Sequence, residues 1–131
     1  MATRAILFYE KADGRTSVIY THFDGYPSHH LPILNEHYAT EDAVQALFAL
    51  GDLEVLAESP ECPPGHTFTH PINGYCVAYG RDRGEPNFPY TKAHNYFCLD
   101  IAILNSKCGE NYRYFFRAAT QKWTYQDLRR V

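Results

Sequence analysis

Two stretches of the chain concentrate side chains able to do polar chemistry. The first is Tyr20-Thr21-His22-Phe23-Asp24-Gly25-Tyr26-Pro27, with His29, His30 and His37 close behind. On a strand, alternate side chains share a face, so Tyr20, His22 and Asp24 point the same way as the strand runs into its turn. A carboxylate beside an imidazole favours the imidazolium and orients the ring, which suits acid–base work or anion binding. The plainer use of the same residues is a turn capped by Asp24 and a half-buried strand histidine at 22. The second stretch is Ala78-Tyr79-Gly80-Arg81-Asp82-Arg83-Gly84-Glu85. Its glycines let backbone approach a ligand, and its guanidinium forks fit phosphate or carboxylate. Equally, Arg81 and Arg83 could pair with Asp82 and Glu85 and simply brace the loop. The candidate ligand-binding residues are therefore His22, Asp24, Tyr26, Arg81, Asp82 and Arg83. In that reading the arginines donate to an anion, Asp24 fixes His22, and Tyr26 supplies packing and a hydroxyl.

Other chemistries find less support. Cys62, His66 and His70 recur every four residues, but Pro63-Pro64-Gly65 denies them a shared helical face. No metal and no cofactor is assigned. A Gly-x-Ser-x-Gly elbow, a phosphate-loop spacing and a dinucleotide fingerprint are all missing from the sequence. Tyr112, Tyr114 and Phe116 alternate with Arg113, Phe115 and Arg117, a pattern that can stack bases but more often packs a core.

These segments need elements to position them. Residues 3–9 and 16–23 are β-rich runs joined across Ala12-Asp13-Gly14-Arg15, a strong hairpin signal. Residues 28–38 carry Leu31, Leu34 and Tyr38 at helical offsets, although Pro32 makes that helix awkward and moves its expected start toward Leu31. Thr40 is a good N-cap, with Glu41 and Asp42 in the first turn, for a helix over about 41–50 that Gly51 closes. Prolines 60, 63, 64 and 71 mark 58–74 as a surface loop, and 75–79 reads as a strand. Residues 92–106 fit either a helix or a buried strand. The chain closes with a hairpin over 111–118 and 122–125. The expected fold is one α+β domain over 1–131, its antiparallel sheet built from the two terminal hairpins and a central strand, with two or three helices.

Composition bounds the function. The chain has 131 residues, 45% hydrophobic and 21% charged, enough to bury one core. A net charge of −3 gives no general attraction to nucleic acid or anionic membrane. The apolar run after Arg4 is too short for a signal segment, and four cysteines without a Cys-x-x-Cys pair suit a reducing compartment, so a cytoplasmic protein is expected. Eleven tyrosines suit a cleft that is apolar and hydrogen-bonding at once, and would serve a homodimer interface equally well.

Residues 19–27, 34–38, 49–53 and 78–85 together resemble, in register, a family of small bacteriophage and mobile-element proteins. The resemblance covers the first two-thirds of the chain. It implies a phage-type accessory protein in the bacterial cytoplasm that binds a host protein or small anionic ligand, such accessory proteins often countering a host nuclease or defence system. The alternative is a small hydrolase or transferase acting on a phosphate-containing substrate, with His22 as acid–base.

Overall fold

The computed structural model describes residues 2–83 and 91–129. Strands β1 (Ala5–Glu10) and β2 (Thr16–Thr21) form the expected hairpin, with Gly14 at φ +90° and Lys11 N–H bonded to Arg15 O at 2.8 Å. Two helices follow, α1 (Pro27–His37) and α2 (Glu41–Phe48), and then strands β3 (Leu53–Val55) and β4 (Val77–Ala78). One helical turn, α3 (Tyr79–Asp82), precedes β5 (His94–Tyr96) and helix α4 (Leu99–Asn105). Strands β6 (Tyr112–Arg117) and β7 (Lys122–Asp127) make the closing hairpin.

The seven strands of the described residues form one sheet in the order β4-β3-β2-β1-β6-β7, with β5 also on β2. It is mixed, not antiparallel as expected: β1 runs parallel to β6, and β2 parallel to β3. The cause is local. Asn111 N–H bonds the Arg4 carbonyl and Arg4 N–H bonds Asn111 Oδ1, so β6 begins where β1 begins. The Ala-Ile-Leu-Phe-Tyr run of β1 is buried along both faces, as a strand covered on both sides requires. One face carries Leu7, Tyr9, Ile19, Tyr114 and Phe116 against α1 and α2, and the other carries Ile6, Phe8 and Val18 against α4.

Three expectations need correction, and the open choice for residues 92–106 has an answer. The α1 helix starts at Pro27, with Pro32 inside it; the bond that Pro32 forfeits would go to Ser28, which is solvent-exposed. The expected strand 75–79 is only two residues long, because Tyr79 to Asp82 turn helical. Residues 92–106 hold both a strand and a helix; Phe97, between the two, and Leu104 on the helix face solvent (80% and 68% exposed) while Ala102 is buried. Four helices form among the described residues rather than two or three. No helix among the described residues is long and apolar enough to cross a membrane.

Candidate functional site: a cleft at the interrupted edge of strand β2

The outer edge of β2 is shared. Its first half, Thr16 to Val18, pairs with β5, and its last residue, Thr21, pairs with β3, so on this edge Ile19 and Tyr20 have no strand beside them. A strand edge left without a partner needs another acceptor for its outward N–H. Asp52 provides it, its Oδ1 taking the Tyr20 N–H at 2.9 Å. Asp52 is held there by the chain reversal before it. Gly51 sits at φ +75°, and a Cβ on it would lie 2.0 Å from the Thr91 carbonyl, the atom that accepts the Asp52 N–H at 2.7 Å.

This gap opens a cleft of about 460 Å³. Its apolar floor is Ile6, Val18 and Tyr96 on the α4 face of the sheet, and its rim carries Arg4, His94 and Lys107 with Asp52, Tyr20 and Cys108. The far wall, just past α4, is anchored: Glu110, 8% exposed, accepts the Cys108 N–H and the Arg113 guanidinium, and Arg4 donates to the Gly109 carbonyl at 3.1 Å. Burial alone would push the Glu110 carboxyl up, but those bonds outweigh it and hold it below its usual range.

Burial also pushes the Asp52 carboxyl up to about 6, against the Tyr20 N–H bond and the nearby His94 ring, which favour its ionised form. The same desolvation raises the Tyr20 phenol, opposed by Arg4 beside it. An Asp raised from 3.8 to about 6 binds its proton more tightly folded than unfolded. Between those pH values its contribution to stability falls as pH rises, by about 3 kcal/mol in all. Asp52→Asn keeps the Oδ1 acceptor and removes this loss. Urea denaturation is therefore expected to show the variant 1–3 kcal/mol more stable than the parent at pH 7.5, by the same linkage, with the gap closing near pH 4. A gap independent of pH would contradict the assignment.

The residues expected from sequence fall into three groups. His22 shares the face of Tyr20, and its Nδ1 is hydrogen-bonded to the Tyr20 hydroxyl at 2.6 Å, so it stands at the cleft through Tyr20. Asp24, in the left-handed region at φ +58°, accepts from the Tyr26 hydroxyl at 3.1 Å; the bond that orients the His22 ring comes from Tyr20. Gly25 behind it is needed for close approach, since a Cβ there would lie 2.8 Å from the Thr3 carbonyl. Arg81 and Asp82 are committed inward. Arg81 donates to both Asp82 oxygens and to the carbonyls of Pro60 and Cys76, and Asp82, its side chain 1% exposed, also takes the Ala78 N–H. Arg83 lies over the Tyr79 ring at 4.8 Å and Phe68 at 5.6 Å. Gly84 and Glu85 lie outside the described residues.

The two stretches lie at the same end of the sheet, on either side of β3. Thr21 pairs with Leu53 and Leu53 with Ala78, placing the end of β2 and the start of α3 two strands apart, roughly 10 Å. Burial and the charge of Glu54 push the Tyr79 phenol up to about 12, and it also feels Tyr20 and Asp52. Arg4, Asp52, His94 and Lys107 were not found from sequence. The one available signal was Asp52 itself, a lone acid between a helix-stopping glycine and an apolar strand.

His30 is a buried core residue of α1, not a surface histidine: Nε2 meets Thr21 Oγ1 at 2.9 Å and the ring packs on Tyr114 at 5.1 Å. His66 is buried as well, its Nδ1 accepting the Ile72 N–H, so its Nε2 donates to the Cys76 carbonyl. Among the described residues no three His, Cys, Asp or Glu side chains are arranged to hold a metal, and all four cysteines are unbridged.

The fold and cleft define the class structurally, a mixed-sheet α+β domain with a polar notch in one strand edge. Comparison with family models, with curated proteins and with solved structures finds no match to this chain.

Proposed function

We propose that the protein is a binding module for a small anion, held in the cleft beside Tyr20. The observation that carries this reading is convergence: Arg4, His94 and Lys107, from three separate parts of the chain, line one cleft with the Tyr20 phenol, which His22 orients. Its volume is in the range of small-molecule sites, which favours a small anion over a host protein as the partner. Arg81 and Asp82, in this reading, brace the neighbouring loop, and Arg83 sits at the outer end beside Tyr79. The phage-type accessory role and the bacterial cytoplasm belong to the same proposal, supported by the resemblance of residues 19–27 and 78–85.

Titration calorimetry with inorganic phosphate and sulfate tests it. Binding is expected, weakened about tenfold by Lys107→Ala, the scale of one charge-assisted bond. The control Arg117→Ala, at the far end of β6, should leave it unchanged. Absence of binding, or equal loss in the control, would overturn the proposal. One observation favours hydrolase or transferase chemistry instead: the Asp52 carboxyl, close to neutrality, shares the cleft with Tyr20 and, through it, His22. Mass spectrometry of the protein incubated with phosphate esters separates the two, since only an enzyme releases product.

A further inference from the structure

Resting on the anion-binding reading, we infer that the ligand is a free nucleoside monophosphate, its phosphate at Arg4 and Lys107 and its base over Tyr96 with an edge toward Asp52. Three features of the cleft narrow the class. Its volume of about 460 Å³ is several times that of a bare phosphate, so an ion alone would leave most of it to water. Its floor is apolar and aromatic: Ile6 and Val18 are buried within the second core, and Tyr96 packs against the same cluster, presenting a surface suited to a flat ring. Bases stack on such side chains whatever their sequence, because each has a π-face.

The walls supply the third feature. Asp52 and Asn105 line the same cleft as the cations Arg4 and Lys107; Asp52 Oδ1 takes the Tyr20 N–H and Asn105 Nδ2 donates to the Ile101 carbonyl, which leaves each a second polar atom to meet a ligand. An aliphatic acid would satisfy the cations and offer those two atoms no hydrogen-bonding edge. A nucleobase has apolar faces and a rim of donors and acceptors, so it answers the floor and the walls together. The phosphate answers the rim.

The test is calorimetry on the full chain with seven probes: inorganic phosphate, ribose 5-phosphate, adenosine and the monophosphates of the four common nucleosides. At least one nucleoside monophosphate is expected to bind ten times more tightly than either phosphate probe and than adenosine. Tyr96→Leu, which keeps the apolar packing under the sheet, is expected to bring that ligand down to the affinity that ribose 5-phosphate shows for the same variant. If ribose 5-phosphate binds as tightly as every nucleotide in the parent protein, the nucleotide assignment falls and the anion reading stands. If no anion binds, both fall. A 5′-phosphorylated oligonucleotide that outcompetes the free nucleotide would overturn the assignment in favour of nucleic-acid ends. The probe series on the parent chain decides the matter even if the Tyr96 variant does not fold.

Discussion

Between pH 6.5 and pH 3, one side chain is expected to remove about 5 kcal/mol of folding stability, by linkage between its folded and unfolded protonation. That side chain is His30. It is buried completely, and desolvation, reinforced by the adjacent His29, pushes its imidazole down to about 3 despite a hydrogen bond to the Asp24 carbonyl. Below 6.5 the unfolded chain takes up a proton that the folded protein refuses, so stability falls with pH at up to about 1.4 kcal/mol per unit. The raw pH curve mixes several groups. Asp52 acts in the opposite direction between 3.8 and about 6, while Asp82 and Glu110, held below their usual ranges, add to the acid loss. The difference between the parent and His30→Gln isolates the ring. The variant is expected to be 1–3 kcal/mol less stable at pH 7.5, a usual cost for a buried substitution. The deficit should shrink as pH falls and vanish or reverse near pH 4. Guanidinium denaturation at four or five pH values measures it, and a deficit that stays constant would show that His30 is protonated normally.

The second large effect is expected at Asp82. Its carboxylate joins the Arg81 guanidinium, the Ala78 N–H and, at 3.6 Å, the His66 ring, with 1% of its side chain exposed. Burial by itself would raise its pKa; the bonds from Arg81 and from the Ala78 N–H overcome this and lower it. Asp82→Ala leaves a guanidinium and a backbone N–H without their acceptor, and breaking a buried pair from one side typically costs about 3–5 kcal/mol. The loss should be local first. Arg81 also holds the Pro60 and Cys76 carbonyls, and His66 the Cys76 carbonyl, so residues 58–76 depend on this pair. Limited proteolysis should cut that segment faster in the variant under conditions where the sheet stays folded. Arg81→Lys should be intermediate, because an ammonium keeps the charge and loses the fork. Full stability in Asp82→Ala would mean that the pair is decoration.

Much of the architecture was legible in the chain because it is coded locally. Asp13-Gly14 and Thr120-Gln121 set two hairpins, and the observed φ of +90° at Gly14 and +51° at Gln121 are the turn geometry those residues tolerate. Thr40 accepts the Ala43 N–H at 3.3 Å with Glu41 and Asp42 in the first turn, as its N-cap position predicts. The alternation of Tyr112, Tyr114 and Phe116 puts all three into the core. The candidate site was legible only in part. Alternation placed His22 beside Tyr20, but the bond that orients its ring comes from that tyrosine, and Asp24 pairs with Tyr26.

The sequence alone determined the two terminal hairpins with the pairing within each, helix α2 and the compositional case for a single α+β domain, because periodicity, capping and turn chemistry act over a few residues. Only the tertiary structure decided that β6 joins β1 in parallel, that the edge of β2 is left open between β5 and β3, and that Arg4, Asp52, His94 and Lys107 gather there. The strand pairings among them join residues 32 to 107 positions apart, and no local propensity carries information over such distances. They follow from which strand edges remain unpaired once the core is buried, and the cleft is what that pairing leaves over.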